Sequence, residues 1–179
     1  MFKTFTVKDI VFLAILSAVL LLASGLIMPI VMFTNIYALR QLFSAPIFAL
    51  FCSVALTKVP KLGALSIIGC ITGGVLLFMS PIMFFNQVIG AVIMELLVFF
   101  FFRGYTSKGA ILFASGIYVT TTLPITLVAN AIMNGKSLGE QMENLPLSLL
   151  ICAGCVILGL AGALLGQKIA DELRKAGKL

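Results

Sequence analysis

The sequence predicts an all-α membrane protein, a bundle of six transmembrane helices with both termini cytoplasmic. Three observations predict it. Of 179 residues, 61% are hydrophobic and 10% charged, where soluble domains carry ~25% charged residues, and the mean hydropathy is +1.22. The apolar residues fall into six runs of membrane-spanning length, each broken by Pro, Gly, Asn or charge. The Lys and Arg residues gather in alternate connections between those runs. No soluble interior hides this much apolar surface, so lipid is the solvent. The length allows one integral membrane domain, 1–179, with no separate soluble module, repeat or low-complexity segment.

The first helix, about 7–28, contains the uncharged run 11–28, which at ~1.5 Å per residue nearly fills a hydrocarbon core of ~30 Å. Ala14 and Ala18 lie one turn apart on a single face. Small side chains let a partner helix approach closely in lipid, so this face is a docking surface. The length of the run, and the five that follow, argue for a retained helix rather than a cleaved signal peptide. The second helix, about 36–56, is closed by Lys58-Val59-Pro60-Lys61. The third, about 62–79, is glycine-rich and stopped by Ser80-Pro81. The fourth, about 84–102, ends at Arg103-Gly104. The fifth, about 109–132, carries Pro124 as a kink, and the sixth, about 147–167, carries Gly154, Gly159, Gly162 and Gly166.

Orientation follows from charge. Ten of the twelve Lys and Arg residues lie in the N-terminus, the 2–3 and 4–5 connections and the C-terminal tail; the other two are Arg40 and Lys136. Positive charge stays on the cytoplasmic side, so both termini are expected inside, on the cytoplasmic face of the cell membrane. The formal charge of +6 is thus a topology signal and not a nucleic-acid face. The outer connections 29–35 and 80–84 are apolar and aromatic, consistent either with lids over a cavity or with shallow re-entry into the interface. The third, 134–146, is polar and leaves room for a short interfacial helix at 137–143.

Histidine is absent, which removes the commonest general base and metal ligand. No carboxylate pair lies within the runs, and no metalloprotease or phosphate-cradling pattern is present. The expectation is no enzyme, no ATPase of its own, no metal site and no cofactor. Cys52, Cys70, Cys152 and Cys155 all sit in apolar runs, where they read as small buried hydrophobes, and Met28, Met32, Met79 and Met83 read as flexible apolar packing. Two ionisable residues lie inside runs. Glu95, near the middle of the fourth helix, reads as a neutral or paired structural carboxyl. Arg40 either faces a cavity, holding an anionic or carbonyl group, or snorkels to the outer headgroups; pairing it with Glu95 requires long side chains to bridge one to two turns. Uncharged polar residues gather toward the outer helix ends. Asn35, Tyr37, Arg40, Gln41, Asn86, Gln87, Thr122 and Asn130 are the candidate substrate-binding residues, with Thr126, Asn134, Tyr118 and Thr120-Thr121 around them, a lining suited to a small molecule.

The six-helix layout and Ala14-x-x-x-Ala18 resemble the substrate-binding S component of an energy-coupling factor (ECF) transporter. Two further stretches, Leu56-Thr57-Lys58-Val59-Pro60-Lys61-Leu62-Gly63 and Gly159-Leu160-Ala161-Gly162-Ala163-Leu164-Leu165-Gly166-Gln167-Lys168, are similar to the Trep_Strep group of bacterial integral membrane proteins, regarded as an S-component-like branch. The resemblance implies a subunit of an ABC-type importer. It captures a small organic micronutrient, a vitamin or precursor, outside the cell and topples in the membrane to deliver it. Its partners are a transmembrane coupling protein, docked on Ala14 and Ala18, and two ATPase subunits. Some members of this branch are suspected of haem handling, so a haem- or porphyrin-specific S component is an alternative. A structural or regulatory membrane subunit that binds no solute is another. The nickel and cobalt branch is disfavoured, because its N-terminal histidine motif is missing.

Overall fold

A chain in hydrocarbon has no water to satisfy its backbone N–H and C=O groups, so apolar runs of this length close their hydrogen bonds internally as helices. The computed structural model describes residues 4–32, 37–134 and 145–177. Among the described residues six helices follow one another: α1 (Val7–Met32), α2 (Tyr37–Lys58), α3 (Ala64–Leu76), α4 (Pro81–Phe102), α5 (Lys108–Asn134) and α6 (Leu145–Lys175). No strand occurs among the described residues. Five helices are long and apolar enough to cross a membrane, and α3 is a shorter apolar helix.

The boundaries depart from the sequence expectation in four places. α3 has 13 residues, not the full span expected over 62–79. Gly63 at φ 100° starts it late, and it loosens after Leu76 into the turns that carry Leu77, Phe78 and Met79. α1 continues through Pro29 to Met32, because a proline in a closing turn removes only one backbone donor. α4 begins at Pro81, at the start of the helix where a missing N–H costs nothing. The 80–84 segment, read from the sequence either as a lid or as shallow re-entry into the interface, is therefore largely the first turn of α4. α6 runs on to Lys175 and, at 31 residues, reaches ~46 Å, well past a hydrocarbon core. The expected interfacial helix at 137–143 lies outside the described residues.

α2 is the centre of the bundle. It packs against α1, α3, α5 and α6, while α4 lies across α3 and α5, and α1 touches α2 and α3. The core joins Leu13 and Leu20 of α1, Phe48, Cys52 and Leu56 of α2, Leu65 of α3, Met94 of α4 and Tyr118 of α5. Glycines bring α6 into backbone contact with its neighbours. A Cβ at Gly162 or Gly166 would fall on the Pro46 or Leu50 carbonyl of α2, and one at Gly159 on the Gly116 carbonyl of α5. The Ser53 hydroxyl uses that closeness to donate to the Ala163 carbonyl at 3.0 Å. Outward-facing side chains such as Leu26, Phe100 and Ile132 are 79%, 80% and 77% exposed, the surface that lipid covers.

One end of the bundle carries most of the charged residues that the structure describes. There, Thr6 and Asp9 cap α1 reciprocally: the Thr6 N–H donates to Asp9 Oδ2 at 2.9 Å and the Asp9 N–H to Thr6 Oγ1 at 3.3 Å. Lys61, in the α2–α3 connection, reaches the same carboxylate at 2.6 Å, donates to the Thr4 carbonyl at 3.0 Å and sits 5.6 Å from the Phe5 ring centroid. Lys108 at the start of α5 pairs with Asp171 of α6 at 2.6 Å.

Candidate binding site and docking face

Away from the basic end, polar side chains from three helices meet. Thr122 and Thr126 are one turn apart on the same stripe of α5. Gln41 of α2 donates from Nε2 to Thr122 Oγ1 at 3.2 Å, and Asn86 of α4 donates from Nδ2 to Thr126 Oγ1. A turn further along α5, the Tyr118 hydroxyl bonds Gln87 of α4, 2.5 Å from Oε1 and 3.1 Å from its backbone carbonyl. Gly90 makes room for this, since a Cβ there would come within 2.9 Å of Thr122 Cγ2. Asn86, Tyr118, Thr122 and Thr126 are buried, and Gln41 and Gln87 half-buried.

Four expected binding residues, Gln41, Asn86, Gln87 and Thr122, are thus brought into one cluster. The side chains of Tyr37, Arg40 and Asn130, and the whole of Asn35, lie outside the described residues. Thr126 and Tyr118, expected only as surroundings, are the hubs that the amides bond. Their spacing was a legible signal, because residues four apart on α5 share a face.

Glu95 is a paired structural carboxyl, as expected, but its partner is a helix end. Oε1 accepts from the N–H groups of Gly63, Leu65 and Ser66 at 2.9, 2.9 and 3.2 Å, and Oε2 accepts from the Ser66 hydroxyl at 2.7 Å. A short α3 begins inside the depth spanned by α4, so its first donors have no water, and a carboxylate suits both them and the positive end of the helix dipole. Arg40 is ~27 Å along α2 from the basic end and Glu95 only ~10 Å from it along α4, by helical rise. By rise the two backbones stand ~17 Å apart in depth, about three turns where the sequence reading had one to two. Tyr105 is buried near this cap with no partner for its hydroxyl among the described residues, and burial, reinforced by the Glu95 charge, pushes its phenol well above the ordinary range.

On α1, Leu13, Ser17 and Leu20 face the bundle. Ala14 is half-buried and Ala18 exposed, flanked by Val11, Ile15 and Leu22 at 51%, 59% and 72% exposure. Among the described residues, the chain's own helices cover this face partly at Ala14 and leave it open at Ala18. The four cysteines are free thiols, with Cys52 and Cys155 buried. Among the described residues no group of three or more His, Cys, Asp or Glu side chains is placed to hold a metal ion. A groove of about 700 Å³ at the basic end is lined by Lys108, Gln167, Lys168, Asp171 and Glu172 among others. It is far from the amide cluster, and its acids already pair with Lys108 and Lys175.

Residues 7–172 match a family described as hypothetical bacterial integral membrane protein (Trep_Strep). No curated protein and no solved structure is found to match the chain.

Proposed function

The chain belongs to the Trep_Strep family of hypothetical bacterial integral membrane proteins, and from that premise we propose that it is the substrate-binding S component of an ECF-type importer. The carrying observation is a division between two regions of one small bundle. A polar cluster, shared by α2, α4 and α5, lies away from the basic end. The Ala14/Ala18 face of α1 stands open about two turns from that end. With the basic end in the cytoplasm, the cluster binds a small organic micronutrient taken from outside, and α1 docks on a coupling protein that two ATPases drive. The chain performs no chemistry; it recognises a solute and changes its orientation in the membrane.

Co-purification with a coupling protein and its ATPases, followed by uptake of a vitamin panel and haem, tests this. Ala18→Leu, at an exposed position, is expected to lower complex recovery at least tenfold while leaving the melting temperature and solute binding of the isolated protein unchanged. No association of the wild type with any coupling protein would sink the reading.

A further inference from the structure

The hydrogen-bond directions in the amide cluster constrain what fits there. A threonine hydroxyl has one proton, and the protons of Thr122 and Thr126 are spent on backbone carbonyls: Thr122 donates to Val119 at 2.6 Å and Thr126 to Thr122 at 2.8 Å. Toward Gln41 and Asn86 the two hydroxyls have only acceptor capacity left. Each amide must therefore turn its NH₂ to the threonine and its oxygen away, so the hydrogen-bond network itself assigns the orientation of both amides. Both freed oxygens, Gln41 Oε1 and Asn86 Oδ1, are buried and have no hydrogen-bond partner among the described residues. Asn86 is itself only 9% exposed. Two unmet acceptors in a buried site are costly unless something donates to them.

Pro46 and Pro124 lie inside α2 and α5 and lack the N–H that would bond the Leu42 and Thr120 carbonyls. None of the cluster's hydrogen bonds among described residues involves a carboxylate, Lys or Arg. The two unmet groups, Gln41 Oε1 of α2 and Asn86 Oδ1 of α4, are neutral acceptors, and the threonines that hold their amides lie roughly one helical turn apart on α5.

Building on the small-molecule reading above, we infer that the ligand is an uncharged donor, a primary amide or amino-substituted heterocycle, whose N–H groups meet Gln41 Oε1 and Asn86 Oδ1. Thr122 and Thr126 are positioning residues: they touch the amides, not the ligand, and set which end each amide presents.

The full chain in lipid nanodiscs is offered two matched pairs, nicotinamide with N,N-dimethylnicotinamide and 4-aminopyrimidine with 4-(dimethylamino)pyrimidine, and separately a bacterial small-molecule extract. Bound species are read by native mass spectrometry. Every retained species is expected to carry at least two free N–H or O–H donors. Any retained member of a pair should exceed its dimethyl counterpart by about tenfold or more, the scale of one unmet buried acceptor. Thr126→Val and Thr122→Val keep the side-chain shape but release the amides to turn, and should cut retention by a similar factor. If a variant fails to fold, the wild-type pairs still decide. Equal retention of free and dimethylated members, or extract ligands without donors, overturns this inference and leaves the small-molecule reading standing. Retention of nothing from pairs or extract, with water alone on the two oxygens, overturns both; association with the coupling protein then remains as the separate test of a transport subunit.

Discussion

At the scale of single residues, the most informative side chain is Glu95. Its carboxylate meets three backbone N–H groups and one hydroxyl at the start of α3, so its role is separable from its charge. Glu95→Leu strands those donors and should destabilise the isolated protein by about 1–3 kcal/mol. Glu95→Gln keeps acceptor oxygen and loses the charge–dipole part, about 0.3–1 kcal/mol. Thermal unfolding in detergent reads both, and the cap is refuted if Gln and Leu behave alike. Tyr105 predicts the opposite sign. Its buried hydroxyl has no partner among the described residues, so Tyr105→Phe should leave the melting temperature unchanged or raise it, by up to about 1 kcal/mol of stability; a clear fall would reveal a missing donor–acceptor pair. Neither role could be read from the chain alone. Glu95 announced itself as a charge in an apolar run, but its partners lie in a different helix, and only the late start of α3 at Gly63 explains why a carboxylate is needed there.

At the scale of helices, what was legible is what composition carries within one run. Five of the six spans are apolar over their length and needed no tertiary information. The ends were harder, because proline reads as a stop while Pro29, Pro46 and Pro124 all lie within helices that packing and lipid sustain. For the polar cluster, Gln41, Asn86, Gln87 and Thr122 stood out as polar groups in apolar surroundings. Which hydroxyl each amide meets depends on helix rotation, which one sequence does not specify. Glycine was legible as abundance in α6, yet only packing distinguishes essential from spare positions. A Cβ at Gly162 would meet the Pro46 carbonyl, whereas one at Gly74 in α3 would have nothing within 4 Å. Gly162→Ala should therefore push α6 off α2 and cost about 1–3 kcal/mol, while Gly74→Ala should gain about 0.5–1 kcal/mol. Paired melting curves check this; equal effects would mean that α6 does not seat on α2 through its glycines.

At the scale of the whole molecule, function depends on which end faces the cytoplasm, and the charge distribution sets the expectation. The N-terminal cap, the α2–α3 connection, the α4–α5 connection and the end of α6 cluster their Lys and Arg residues at one end, tied together by the Lys61–Asp9 and Lys108–Asp171 pairs. Those basic groups resist translocation, so that end should stay inside. The opposite end then presents the α3–α4 turn, where Phe78 is 94% exposed, to the outside, on the side from which the proposed ligand would reach the amide cluster. Single cysteines placed at Phe78 and at Ser107, the exposed residue before α5, in a background with Cys52, Cys70, Cys152 and Cys155 replaced, separate the two orientations. In intact cells a membrane-impermeant maleimide should label Phe78→Cys and spare Ser107→Cys, with Ser107→Cys labelled once the membrane is opened. The reverse pattern would place the amide cluster toward the cytoplasm and Ala18 toward the outside. An importer driven by cytoplasmic ATPases could not then load and dock as proposed, whatever the isolated protein binds.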